Sequence, residues 1–228
     1  LRLSQPTRHI AHIPKILYHW RTSPASPAGD IYHKPDAPLA QTRAIQAHLH
    51  SLGLPEARAY FDPTGYLRVR WAFDRQVKVS IIIPTRGASR MLKTCLDSIL
   101  RHTAYPSYEL LLVNNGPRLP EQIPYFRSLH KRPSLTAHAR LKIIHFNPGS
   151  DGAFNYAAAN NLGARHAAGE VLVFLNNDTR VFSPDWLDEL SMWAQRPEVG
   201  AVGAKLLRPD GRIQHAGVIL GLTGFAGH

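Results

Sequence analysis

The stretch "EVLVFLNNDT", Glu170 to Thr179, decides how this chain is to be read. An apolar run, Val171 to Leu175, passes straight into Asn176-Asn177-Asp178. The run is short, rich in Val, Leu and Phe, and reads as a buried strand. A chain that needed only to turn could use Gly or Pro there. Two amides and a carboxylate raise another possibility: Asp178 either caps the helix expected shortly afterwards or holds a ligand.

Working outward, the same texture repeats. "KVSIIIP", Lys78 to Pro84, is a strand ended by proline. Leu92, Cys95, Leu96, Ile99 and Leu100 recur at the spacing of an amphipathic helix. "YELLLVNNG" and "RLKIIHFN" are further strands, and the Ala-rich stretch from about Phe154 to Ala168 is a helix leading into "EVLVFL". Ser183-Pro184-Asp185 reads as an N-cap with proline at the first helical position, opening a helix through Trp193. "EVGAVGAKLL" reads as a fifth strand. Apolar strands alternating with helices predict an α/β domain, a parallel sheet covered on both faces. Ligands of such sheets bind at the carboxyl ends of the strands. Those ends carry Thr85-Arg86-Gly87, Asn114-Asn115-Gly116, Asn147-Pro148-Gly149 and Asn176-Asn177-Asp178. Each alone is ordinary turn chemistry; jointly they mark one rim.

Residues 1–75 differ, being rich in Pro, His and Arg. A helix is expected over Ala37 to Leu52, ended by Gly53. A hairpin is expected around Asp62-Pro63-Thr64-Gly65, and Ser23 to Asp30 reads as a loop or linker. The division is therefore 1–75, an N-terminal connector or tail, and 76–228, the α/β domain.

Composition narrows the function. Lys plus Arg number 27 against 16 Asp plus Glu, a net charge of +11 in 228 residues. Such a balance favours anionic partners. The basic residues are scattered, with no K/R-rich block and no aromatic-basic pattern, so nucleic acid is not the expected partner. The 13 histidines show neither HExxH nor zinc-finger spacing. No apolar run approaches the roughly 20 residues of a membrane span, and no signal-peptide core opens the chain. The single cysteine, Cys95, fits a reducing compartment. The reading is a cytoplasmic chain with at most peripheral contact at the inner face of the cell membrane. It starts with Leu and stops at "GLTGFAGH", and so reads as a fragment of a longer protein.

Neither GxxxxGK[ST] nor GxGxxG is present. What the chain does resemble is the nucleotide-binding half of family-2 glycosyltransferases with the Rossmann-like GT-A fold. The motifs that carry the resemblance are "VSIIIPTRG", "YELLLVNNG", "FNYAAANNLGARHAAGEVLVFLNNDT", "PDWLDEL", "VGAVGAKLLRPDGRIQHAGVILG" and "AGH", in that order. The last part is most similar to bacterial enzymes of O-antigen and other surface polysaccharides. The resemblance implies transfer of a sugar, with inversion, from a UDP- or dTDP-sugar donor to a glycan or lipid-linked acceptor.

It also implies roles for residues. Asn176-Asn177-Asp178 stands where the family has its DxD motif, with Asp178 as the carboxylate for Mg2+ or Mn2+ and Asn176 in place of the first acid. Such a cation would stabilise the negative charge that grows on the departing nucleoside diphosphate. Pro84, Thr85 and Arg86 match the loop around base and ribose, Asn114 the position that reads the base, and Asn161 a helix position facing the nucleotide. Asp151 and Asn155 line the same pocket, and His215 and His228 match recurrent positions without an assigned role. The general base is expected beyond His228, because Asp185, Asp188 and Glu189 read as the solvated side of their helix. The segment "HIPKILYHWRTSPAS" resembles the close of such transferases, implying adjacent transferase modules. The alternative is a binding or scaffold module that keeps the pocket but transfers nothing.

Overall fold

The computed structural model describes residues 6–7, 9–19, 36–87, 89–115, 123–129, 131, 139–146, 154–221, 224 and 226–227. By its contacts the chain forms two compact units, Leu1–Ala72 and Phe73–His228.

The first unit contains α1 (Asp36–Ser51) and an antiparallel hairpin, β1 (Arg58–Phe61) with β2 (Leu67–Arg70). Helix and hairpin are tied by Gln46, whose side-chain amide donates to the Ala57 carbonyl and accepts from the Ala59 amide. One side chain thus supplies the paired bonds that a neighbouring strand would otherwise give. The hairpin turn closes on Asp62, which accepts from the Thr64 amide and hydroxyl and the Tyr66 amide, and pairs with Arg68 at 2.7 Å. The Thr64 hydroxyl leads the interactions that hold the Asp62 carboxyl well below its ordinary range.

The second unit is built on four parallel strands. In chain order they are β3 (Val79–Thr85), β4 (Tyr108–Asn114), β5 (Ala139–His145) and β6 (Val171–Phe174). In space they lie in the order β5-β4-β3-β6. Every residue of β3 and β4 is buried, because these are the central strands and both faces are covered. On one face Ile81, Ile83, Leu110 and Leu112 meet Leu92, Cys95, Leu96 and Ile99 of α2 (Arg90–His102). The same cluster takes Phe126 and Leu129 of α3 (Ile123–Leu129). Ser89 starts α2 by accepting from the Leu92 amide at 3.1 Å, and burying each of its large apolar side chains stabilises by roughly 1.5–3 kcal/mol. On the other face Ile82, Leu111 and Val113 meet Ala159 of α4 (Tyr156–His166). Gly163 lets α4 sit that close: a Cβ there would lie 2.4 Å from Ile82 Cγ2.

Three expectations are corrected. The stretch "EVGAVGAKLL" adds no strand to the parallel sheet; only Leu206–Leu207 (β7) is extended, and it pairs antiparallel with Ile213–His215 (β8). Two glycines within four residues, Gly200 and Gly203, weaken that run as a strand. A second small pair, Ile219–Leu220 (β9) with Ala226–Gly227 (β10), follows. Strand β6 is not buried throughout: Leu172 and Phe174 are exposed, because α4 covers β3 and β4 and does not cap this edge. Finally α5 runs Trp186–Ala194, so Pro184-Asp185 is a turn before the helix and Ser183 hydrogen-bonds Asp185 rather than capping the first turn.

Helix α5 corrects a further reading. Asp185 is exposed and Glu189 half-buried, but Asp188 is buried beside Leu187, Ser191 and Met192. Its carboxylate takes the Arg75 guanidinium at 2.6 Å, and Arg75 also donates to the Ala104 carbonyl. A carboxylate buried in this way needs a cation and finds one.

Candidate functional site at the carboxyl ends of β3 and β6

The strand order reverses at β3: the next two strands in the chain build outward on one side, and β6 is laid on the other. The crevice at such a switch point, outside the carboxyl ends of β3 and β6, is where an open α/β sheet takes its ligand. The residues delivered there are Thr85-Arg86-Gly87 and Asn176-Asn177-Asp178.

The two loops are bonded to each other. Thr85 is buried; its hydroxyl donates to the Gly87 carbonyl at 2.9 Å and accepts from the Asn177 amide at 3.1 Å. The chain between them bends at Gly87, whose φ of 103° suits glycine. Asn176 is held twice. Its side-chain oxygen accepts from the Tyr156 hydroxyl at 3.0 Å, and its main-chain carbonyl accepts from the Thr179 hydroxyl at 2.7 Å. The Cys95 thiol of α2 lies 3.7 Å from the same carbonyl. Burial pushes the Cys95 thiol up to about 11, the Thr179 hydroxyl works the other way, and the nearby Asp178 charge adds to the rise.

Asp178 is the exception. Two of its neighbours spend their side chains on the turn, whereas Asp178 is exposed and makes no hydrogen bond or ion pair among the described residues. It caps no helix either, since α5 begins at Trp186 with Asp185 before it. The question posed by the sequence is answered against capping. A free carboxylate at a strand end offers hard oxygen ligands of the type Mg2+ and Mn2+ prefer. No group of three or more His, Cys, Asp or Glu able to hold a metal occurs among the described residues. The oxygen chemistry of Asp178 itself is what such a cation would use here.

The other expected residues fall as follows. Pro84 is buried in β3, and Arg86 is exposed immediately after it. Asn114 is buried at the end of β4, in register with Thr85. Asn161 lies on α4 and is exposed. Asn155 spends its side chain as the N-cap of α4, accepting from the Ala158 amide. His215 lies on β8, away from the parallel sheet's ladder. Asn147, Asp151 and His228 lie outside the described residues.

Two residues were missed. Asn115, next along from Asn114, is 5% exposed, and neither atom of its amide has a hydrogen-bond partner among the described residues. Asn160, rather than Asn161, is the buried amide of α4, at 7% exposure, and its side-chain oxygen has no partner among the described residues. Buried amides are nearly always satisfied, so both are candidates for bonding a ligand. The doubled Asn in "VNNG" and "ANNLG" was visible, but which member of each pair turns inward depends on strand alternation and helix rotation.

The profile of Glycosyl transferase family 2 matches residues 80–217, more than half of the chain, and the chain belongs to that family, with the α/β parallel sheet expected of the GT-A fold. Over its full length it is 44% identical to O-antigen biosynthesis protein RfbC of Myxococcus xanthus, and over 97% of its length 40% identical to protein y4gI of Sinorhizobium fredii. It spans only 17% and 23% of those two proteins. Among solved structures it is similar to the mannosyltransferase PcManGT from Pyrobaculum calidifontis, in complex with GDP-Man and Mn2+. That match has 26% identity and a TM-score of 0.46, and covers 61% of this chain and 39% of that one. It is also similar to S. aureus TarS 1-349 with UDP-GlcNAc, at 18% identity and a TM-score of 0.40, covering 51% of this chain and 31% of that one.

Proposed function

We propose that the unit Phe73–His228 is the donor-binding part of a glycosyltransferase, taking a nucleoside diphosphate sugar together with Mg2+ or Mn2+. The observation that carries this reading is Asp178, a carboxylate at the switch point with no hydrogen-bond or ion-pair partner among the described residues, next to two amides that are each held by a side-chain bond. The cation it would hold supplies electrostatic stabilisation to the departing diphosphate. Thr85 and Asn177 brace the crevice between the two strand ends. Pro84, Arg86 and Asn114, with Asn115 and Asn160, are assigned to the nucleoside side of the pocket. We assign the donor to the UDP or dTDP class, the acceptor to a glycan or lipid-linked sugar of a surface polysaccharide, and the stereochemistry to inversion.

The general base is placed outside residues 1–228. Asp188 is unsuited because Arg75 already neutralises it within the core. Residues 1–75 are read as a connector between transferase modules or the tail of a preceding one, which the greater length of the relatives supports. A binding module without transfer remains the second reading, favoured by Asn176 standing in place of the first acid of the motif that the chain resembles.

The test is calorimetric titration of UDP and dTDP with and without Mn2+. The expected result is metal-dependent binding that falls at least about tenfold in Asp178→Ala, the loss of a charge-assisted contact. Equal, salt-sensitive binding of any polyanion by both proteins would overturn the assignment. Sugar transfer by the longer protein separates enzyme from binding module.

A further inference from the structure

Resting on that donor-site reading, the geometry points to a division of labour within Asn176-Asn177-Asp178. Asn176 presents its amide N–H groups to a phosphate oxygen of the donor, Asp178 holds the cation, and Tyr156 is the positioning residue that sets this orientation.

Asn176 stands where a two-acid motif would offer a second metal-binding oxygen. In this chain one lone pair of that oxygen is taken, because the Tyr156 hydroxyl donates to Asn176 Oδ1 at 3.0 Å. An amide is planar and cannot offer both ends in one direction. With its oxygen turned to Tyr156, Asn176 has its NH2 left over, and that group has no partner among the described residues. A pair of N–H donors attracts anionic oxygen and repels a cation. Two residues further on, Asp178 offers the opposite, acceptor-only oxygens with no donor to them among the described residues. Amide donor and carboxylate acceptor on one short turn match a metal–diphosphate complex, in which anionic oxygens and cation lie side by side.

Tyr156 is itself fixed. It opens α4 directly after the N-cap Asn155, its carbonyl accepts from Asn160 at 3.0 Å, and its ring lies against Phe154 with centroids 6.4 Å apart. Both rings are partly exposed, at 40% for Phe154 and 45% for Tyr156, so a Tyr156→Phe change removes a hydroxyl without opening the core.

The experiment turns on a sign. If Asn176 donates to phosphate, Asn176→Asp sets a carboxylate against an anionic oxygen and weakens binding of Mn2+–UDP, by roughly tenfold. If Asn176 were a metal ligand, the same change would supply a better oxygen and tighten it. Tyr156→Phe is expected to weaken Mn2+–UDP about threefold, and to have no further effect in an Asn176→Ala background. Melting temperatures, followed in parallel, should not move, since both side chains are exposed. Tighter binding by Asn176→Asp, or unchanged binding in both single variants, overturns the inference and leaves the donor site standing. A wild-type protein that binds none of UDP, dTDP or GDP with Mn2+ removes the donor site and the inference together.

Discussion

Strands β3 and β6 lie side by side and both end at the candidate site, yet they are built by opposite means. All seven residues of β3 are buried, whereas the four of β6 alternate between half-buried and exposed, with Phe174 52% exposed. The β3 loop is placed by the packing of its strand between α2 and α4. The β6 loop is placed by side-chain bonds from Thr85, Tyr156 and Thr179. A rigid scaffold on one side of the crevice faces an individually tethered turn on the other. The lesson is that a weakly buried strand can carry a defined site when its terminal polar groups are bound one by one.

The start of β6 is fixed in the same manner. Buried Glu109 accepts from the Ser80 hydroxyl and the Ala168 amide, both at 2.6 Å, while Ser80 accepts from the Gly169 amide at 2.9 Å. Burial opposes ionisation of Glu109. The Ser80 hydroxyl, the Ala168 amide and the charges of Lys78 and Lys142 outweigh it, holding the carboxyl below its usual range. Gly169 is pressed against this clamp, since a Cβ there would lie 2.6 Å from the Lys78 carbonyl.

The contrast between the strands can be broken at four places. Leu111→Ala, in the middle of the central strand β4, should lower unfolding free energy by about 3 kcal/mol in urea titrations. A loss below about 1 kcal/mol would mean the central strands are not the scaffold. Gly169→Ala should cost about 2 kcal/mol, because its Cβ meets backbone that cannot step aside, and should unseat the start of β6. Glu109→Gln should cost about 1.5 kcal/mol at neutral pH and flatten the acid limb of the stability curve. The sign follows from the lowered pKa: the carboxylate's contribution is complete above the ordinary glutamate range and is lost as pH falls through its folded value. An acid limb as steep in the variant as in the wild type would show that Glu109 does not carry it. Phe174→Ser, on the uncovered part of β6, should change stability by no more than about 0.5 kcal/mol. A larger loss would show that this edge is covered in solution.

Much of the scaffold was legible in the sequence. The runs "KVSIIIP", "YELLLVNNG" and "RLKIIHFN" and the Leu92–Leu100 periodicity are local patterns, and each became the element expected. The rim was legible in part: Thr85, Asn114 and Asn176 do follow or close parallel strands, while Asn147-Pro148-Gly149 lies outside the described residues. The misses share a cause. "EVGAVGAKLL" is apolar enough for a strand, but membership of a sheet requires a partner, and the pairing partner of Leu206 is His215 rather than β6. Asp188 sits in a sequence that reads as a solvated helix face, and only the approach of Arg75, 113 residues earlier, turns that face inward.

By itself the sequence determined the kind of protein this is: a parallel α/β sheet of Glycosyl transferase family 2, with amides and one aspartate at a strand end. Local spacing suffices for the sheet, because strand and helix periods are written residue by residue, whereas the family rests on the motifs the chain shares with it. Only the tertiary structure decided which of those polar groups are engaged and which is left free. Tyr156 reaches Asn176 across 20 residues of chain and Thr85 reaches Asn177 across 92, while no hydrogen-bond or ion-pair partner among the described residues reaches Asp178. Whether a carboxylate is free depends on what folding brings within 3 Å of it, and no local pattern encodes that distance.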